Sequence, residues 1–171
     1  FKNNIIPILD KAYDSKDVIS TERNELKSVY KENLFKPIKQ KIKKRNIRFI
    51  DAIKDSLFVK MSSDSNVILI GQDIAEYGGV FKVTEGFLKE FGKERVRNTP
   101  VIESGVIGAG MGLSIEGFKP VIEMQFSDFV SVGFNQIVNN LAKTYYRWNH
   151  PINITLRLPT GGGIGAGPFH S

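Results

Sequence analysis

Asn66-Val67-Ile68-Leu69-Ile70-Gly71 decides the fold: a polar residue, four consecutive aliphatics and a glycine. A strand with one wet face alternates polar and apolar residues, whereas an unbroken aliphatic run implies burial on both faces. Such strands belong to parallel sheets covered by helices. The flanking sequence agrees. Upstream, Phe49, Ile50, Ile53, Leu57, Phe58 and Met61 recur at helical spacing. Downstream, Glu85 to Phe91 reads as a short helix closed by Gly92, and Val96-Arg97-Asn98 as a strand. Ser104 to Glu116 reads as a helix, Pro120 to Gln125 as a strand, Phe134 to Trp148 as a helix and Ile152 to Leu158 as a strand. Strands alternating with helices predict an α/β domain with a mostly parallel sheet and helices on both faces. Ligands on such sheets bind beyond the carboxyl ends of the strands.

The first 48 residues obey different physics. They carry 13 Lys/Arg against 6 Asp/Glu, while residues 49–171 carry 11 against 12, and all 16 glycines lie at or after Gly71. Ile5, Ile8, Leu9 and Tyr13, then Leu26, Val29, Tyr30 and Leu34, fall at helical spacing, and Ser20 or Thr21 is placed to cap a helix from about Glu22 to Phe35. Six of the ten residues from Lys39 to Arg48 are basic. A nucleic-acid arm is one reading of that run, but no aromatic residues interleave it, and a solvated linker is the expectation. The predicted division is a helical tail and basic linker over residues 1–46, and a truncated domain over 47–171. The chain opens on Phe1, without an initiator Met, as expected of a piece of a longer polypeptide.

Composition removes several chemistries. With no cysteine there is no disulfide framework, thiol nucleophile or iron–sulfur cluster, and two histidines are too few for a multi-histidine metal site. No apolar run approaches the length that spans a bilayer. The expectation is a soluble protein of a reducing compartment, cytoplasmic or in the mitochondrial matrix.

Three places carry chemistry. In Val101-Ile102-Glu103-Ser104-Gly105 a lone carboxylate stands at a strand-to-helix junction. A helix N-terminus favours its ionised form and an apolar pocket opposes it, and a Glu that merely caps its helix is the competing reading. The helix beyond spends Gly105, Gly108, Gly110 and Gly112 where each costs about 1 kcal/mol against Ala, which close helix packing would offset. It is no dinucleotide fingerprint, because Leu113 occupies the third glycine's place in G-x-G-x-x-G. The second place is Glu123-Met124-Gln125-Phe126-Ser127-Asp128-Phe129, a strand end running into a polar and aromatic loop. The third, Pro159 to His170, is a glycine-rich loop carrying one histidine, without the Lys-Ser/Thr of a P-loop.

Tyr77-Gly78-Gly79-Val80-Phe81-Lys82-Val83-Thr84, Arg95 to Gly105, Glu123 to Phe129, Phe134 to Asn139 with Ala142-Lys143, and Arg157 through Pro159 to His170-Ser171 together resemble one family. It is the β-subunit of the thiamin-diphosphate-dependent 2-oxo acid dehydrogenases, the decarboxylating component, with the branched-chain type most similar. The resemblance covers about residues 47–171. Residues 1–46 look more like the tail of an α-subunit fused ahead of a β-subunit.

The resemblance implies a pyrimidine-binding domain that supplies half an active site. Glu103 matches the family's carboxylate that hydrogen-bonds the pyrimidine ring and drives its tautomerisation. Val101 and Gln125 match pocket-lining positions, Phe129 the aromatic against the ring, and His170 a histidine near the reacting centre that serves acyl transfer. A structural potassium ion is implied at carbonyls matching Ile152, Ile154 and Thr155. Thiamin diphosphate is the implied cofactor, its Mg2+ held by a G-D-G…N motif on an α-subunit-like domain; this sequence has no G-D-G. The implied partners are that domain, a lipoylated acyltransferase and further copies in a homo-oligomer or α2β2-like assembly, with no nucleic acid and no membrane. Inactivity of the fragment alone is expected. A transketolase-type thiamin enzyme and a non-catalytic assembly module, the latter suggested by the glycine helix, are the alternatives.

Overall fold

A computed structural model describes residues 2–32, 46–161, 163, 165–168 and 170. In chain order the elements are α1 (Lys2–Tyr13), α2 (Glu22–Val29), α3 (Phe49–Ser63), β1 (Val67–Gly71), α4 (Phe87–Phe91), β2 (Val96–Asn98), α5 (Glu103–Ile115), β3 (Lys119–Glu123), α6 (Val130–Asn135), α7 (Ala142–Trp148) and β4 (Thr155–Arg157). A 3-10 turn over Ser127–Phe129 precedes α6, and a π-helical stretch over Gln136–Leu141 joins α6 to α7.

Every residue of β1 is buried, as its aliphatic run requires. Its side chains alternate between two cores. Val67 and Leu69 join Met61 of α3, Phe87 of α4, Ile74 and Val96 on one face, while Ile68 and Ile70 join Val106 and Ile107 of α5, Ile122 and Met124 on the other. The expected parallel sheet with helices on both faces is the observed architecture, and all three ladders are parallel in the order β2-β1-β3-β4. The chain leaves β1 through α4 to β2 on one side. It then crosses by α5 to β3 on β1's other side and continues outward to β4. Opposite directions of travel take opposite faces, as right-handed crossovers demand. The strand order therefore reverses between β1 and β3, whose carboxyl ends open a crevice, and Gly71 stands level there with Glu123. A Cβ on Gly71 would lie 2.4 Å from the Glu123 carbonyl oxygen, so only glycine fits.

Several boundaries differ from the sequence reading. The α4 helix starts at Phe87 because Gly86, at φ +88°, is left-handed and the preceding turn is closed by Phe87 N–H on the Thr84 carbonyl at 3.0 Å. β4 is shorter than expected, since Asn153 N–H goes to Ser114 Oγ at 2.7 Å instead of to a ladder. The helix from Phe134 begins earlier, at Val130, and is widened in the middle, where Asn140 donates to Gln136 Oε1 and Thr144 Oγ1 donates to the Asn140 carbonyl. That stretch still points Ile137 and Leu141 into the core.

At the front end, α1 and α2 bury no residue of their own. Thr21 caps α2 as expected, Oγ1 accepting from Asn24 N–H at 3.3 Å, but the helix ends at Val29, where Tyr30 is extended. Tyr146 on α7 donates to Glu25 Oε2 at 3.2 Å, tying α2 to the domain. Most of the basic run, Lys39 to Arg45, lies outside the described residues. Among the described residues no helix is long and apolar enough to cross a membrane.

Candidate active site

The crevice is built from three chain segments that leave the sheet at its carboxyl edge. Gln72 and Asp73 follow β1, Glu103 opens α5, and Met124, Gln125 and Phe126 follow β3. The backbone bends sharply after β1: Asp73 sits at φ +54°, and its carbonyl accepts from Gly79 N–H at 2.8 Å. The loop behind it is pinned by the buried Thr84 hydroxyl, which donates to the Ile74 carbonyl at 2.7 Å. A rigid edge is the consequence.

Two carboxamide–carboxylate pairs cross this edge. Gln72 Nε2 donates to Glu103 Oε1 at 3.4 Å, a long contact, and Gln125 Nε2 donates to Asp73 Oδ2 at 3.0 Å. Glu103 is half-buried in the first turn of α5, where the helix dipole favours a negative charge. It thus stands in the first turn of its helix without making a side-chain cap bond, and meets Gln72 at the crevice. Val101, by contrast, is 78% exposed on the loop before it.

Beside these polar groups stands an aromatic cluster. Phe126 meets Phe129 edge-on with ring centroids 5.9 Å apart, and His170 stands edge-on to both, 4.7 Å from Phe126 and 5.7 Å from Phe129. The β3 and β4 exits are laced together by Ser127 N–H on the Pro159 carbonyl at 2.9 Å. Buried in this cluster, His170 Nδ1 has no hydrogen-bond partner among the described residues. A buried imidazole nitrogen without a partner is a donor or acceptor left for something else.

Under the edge lies a buried ion pair. Arg157 Nη1 approaches Glu123 Oε2 to 2.8 Å, with 15% and 6% of the side chains exposed. It is a charge contact more than an aligned hydrogen bond, because Nη1 meets no acceptor at good angles among the described residues. Burial pushes the Glu123 carboxyl above its ordinary value, and the Arg157 charge pulls it partly back. Beyond Phe126, on the α3 side, opens a cavity of about 470 Å3 lined mainly by apolar groups, among them Phe49, Ile50, Ile53, Phe81 and Pro159. It borders Phe126 and Arg157 but neither Gln125 nor Phe129. No three His, Cys, Asp or Glu side chains gather as metal ligands among the described residues.

Glu103, Gln125, Phe129 and His170 therefore share the carboxyl edge, in two groups: carboxylates with amides, and aromatics with imidazole. Ile152 and Ile154 are half-buried at the entry to β4, and Thr155, its first residue, is exposed. Gln72, Asp73 and Phe126 join the site as residues beyond those expected from the sequence. The signal for the first two was their place directly after β1, where the reversal rule puts ligands.

Residues 45–171 match the family model described as transketolase, pyrimidine binding domain. The chain belongs to that family. Curated relatives of this pyrimidine-binding domain include the 2-oxoisovalerate dehydrogenase subunit beta of Bacillus subtilis, 42% identical over 127 residues, and the pyruvate dehydrogenase E1 component subunit beta of Staphylococcus aureus, 43% identical over 124 residues. The matches take in 72% and 71% of this chain but 38% of each relative, so this pyrimidine-binding domain spans well under half the length of either protein. A solved structure titled "Split gene transketolase, inactive beta4 tetramer" aligns with a TM-score of 0.48 and 17% identity, over 63% of this chain and 32% of that one.

Proposed function

We propose that this domain is the pyrimidine-binding part of the decarboxylating component of a 2-oxo acid dehydrogenase, acting on a branched-chain or pyruvate-type 2-oxo acid and passing the acyl group to a lipoyl domain. The observation that carries the reading is Glu103: a half-buried carboxylate at a helix N-terminus on the reversal crevice of a family that binds a pyrimidine. The residues fit the pyrimidine end of thiamin diphosphate, since the edge offers a carboxylate, an amide, an aromatic wall and a buried imidazole nitrogen without a partner among the described residues. When bound, the cofactor supplies a carbon nucleophile and a sink for the electron pair released with CO2.

The chain's own groups then divide the work. Glu103 holds or yields the proton at a ring nitrogen, the role a positioned carboxyl fills in acid–base chemistry. Gln125 contributes a fixed amide and Val101 a wall on the exposed side. Phe129 gives the ring a flat apolar partner, worth about 0.5–1.5 kcal/mol beyond burial. His170 Nδ1 serves proton traffic in the transfer half of the reaction. The diphosphate and Mg2+ are assigned to an α-subunit-like domain, consistent with relatives named as beta subunits, and the basic stretch over residues 1–46 to the segment that leads into this domain. A structural potassium ion at the carbonyls of Ile152, Ile154 and Thr155 belongs to the same proposal, supported by the fixed course that the Asn153–Ser114 bond gives this segment.

The full-length protein, assembled with its diphosphate-binding domain, is expected to release CO2 from a 2-oxo acid and acylate a lipoyl domain. It is expected to leave sugar phosphates untouched. Turnover of sugar phosphates without 2-oxo acid decarboxylation would reassign it to a transketolase-type reaction.

A further inference from the structure

Asp73 occupies a backbone conformation, φ +54°, that few residues besides glycine, Asn and Asp adopt readily. Strained positions of this kind gather where function needs a side chain held. Its Oδ2 accepts from Gln125 Nε2 at 3.0 Å. A carboxylate can only accept, and a carboxamide donates only through nitrogen. The contact therefore fixes which way round the Gln125 amide stands: nitrogen on Asp73, Oε1 left as the acceptor. That oxygen makes no bond with any described residue.

We propose that Asp73 is a positioning residue, which turns Gln125 so that its Oε1 presents a hydrogen-bond acceptor to the crevice between β1 and β3. The site is thereby matched to a ligand carrying an N–H donor at that edge, such as the exocyclic amine of an aminopyrimidine. This rests on the pyrimidine-binding role proposed above and adds what selects the amine over an oxo group. Gln72 makes a similar contact with Glu103, so the dipeptide after β1 holds a polar group on each side of the crevice.

Asp73→Asn separates side chain from backbone, because Asn tolerates the same φ. The Asn amide can donate to Gln125 Oε1, which lets Gln125 turn its nitrogen to the crevice. In the assembled full-length protein, calorimetric titration with thiamin diphosphate should show Kd rising about tenfold in Asp73→Asn. The preference for thiamin diphosphate over its 4-oxopyrimidine analogue should shrink by a similar factor. In a Gln125→Met background Asp73→Asn should change nothing further, a dependence that a purely structural Asp73 would not produce. Unchanged affinity in Asp73→Asn, or an equal loss with and without Gln125, overturns the proposal while leaving the pyrimidine-binding role intact. If Glu103→Gln and Gln125→Met also leave Kd unchanged, the pyrimidine-binding role fails and this proposal with it.

Discussion

Arg157→Met should lower stability by about 3–5 kcal/mol, the usual cost of stripping one partner from a buried ion pair. For a chain of this length that is a fall in Tm of about 6–20 °C. The cause is Glu123, 6% exposed beneath the crevice, whose only ion-pair partner among the described residues is Arg157. The sign of the pH dependence follows from burial. Burial raises the Glu123 carboxyl above its ordinary value, and the opposing pull comes from Arg157 alone. Removing Arg157 raises it further. A carboxyl raised in the folded state favours folding below its unfolded value, and that contribution is lost as pH rises through the folded value. The variant's deficit should therefore be smaller near pH 5 than near pH 8, when compared with wild type by denaturant unfolding. The double variant Glu123→Gln/Arg157→Met should recover most of the loss, since no unpaired charge is left inside. A deficit independent of pH would mean that Arg157 acts through packing.

Glu103→Gln is expected to cut cofactor-dependent decarboxylation by about 10²–10⁴-fold in the assembled enzyme, the range typical of a lost acid–base group. The substitution keeps the shape of the side chain and removes only its charge at the start of α5, so α5 should keep its stability to within about 1 kcal/mol. That separation matters, because Glu103 is also the acidic residue of the first turn of α5. If activity fell only in proportion to folded protein, its charge at the helix start alone would explain the residue.

How far the sequence alone reached follows from the range of the interactions. Val67–Gly71 declared a strand buried on both faces because burial there leaves no polar position, and Gly92 ended α4 because its φ is +77°. Glu103 was legible as a carboxylate at a helix start, a local fact. The Asp73–Gln125 contact was not, since it joins residues 52 apart through a strand order that no local pattern encodes. The aromatic cluster was half legible. Phe129 stood out beside Asp128, but the meeting of Phe126 with His170 depends on how two loops pack. The π-helical stretch over Gln136–Leu141 was also hidden, because its apolar residues still fall where an ordinary helix would put them. The cavity on the far side of Phe126 was hidden too, because it depends on how α3 brings Phe49, Ile50 and Ile53 against that loop.

A crystal structure of the assembled full-length protein with thiamin diphosphate bound tests the central idea most directly. The account predicts a Glu103 carboxylate oxygen within about 2.6–3.0 Å of a pyrimidine ring nitrogen, with the ring against Phe129. A pyrimidine seated in the Phe49–Phe81 cavity, or anywhere out of reach of Glu103, would contradict it.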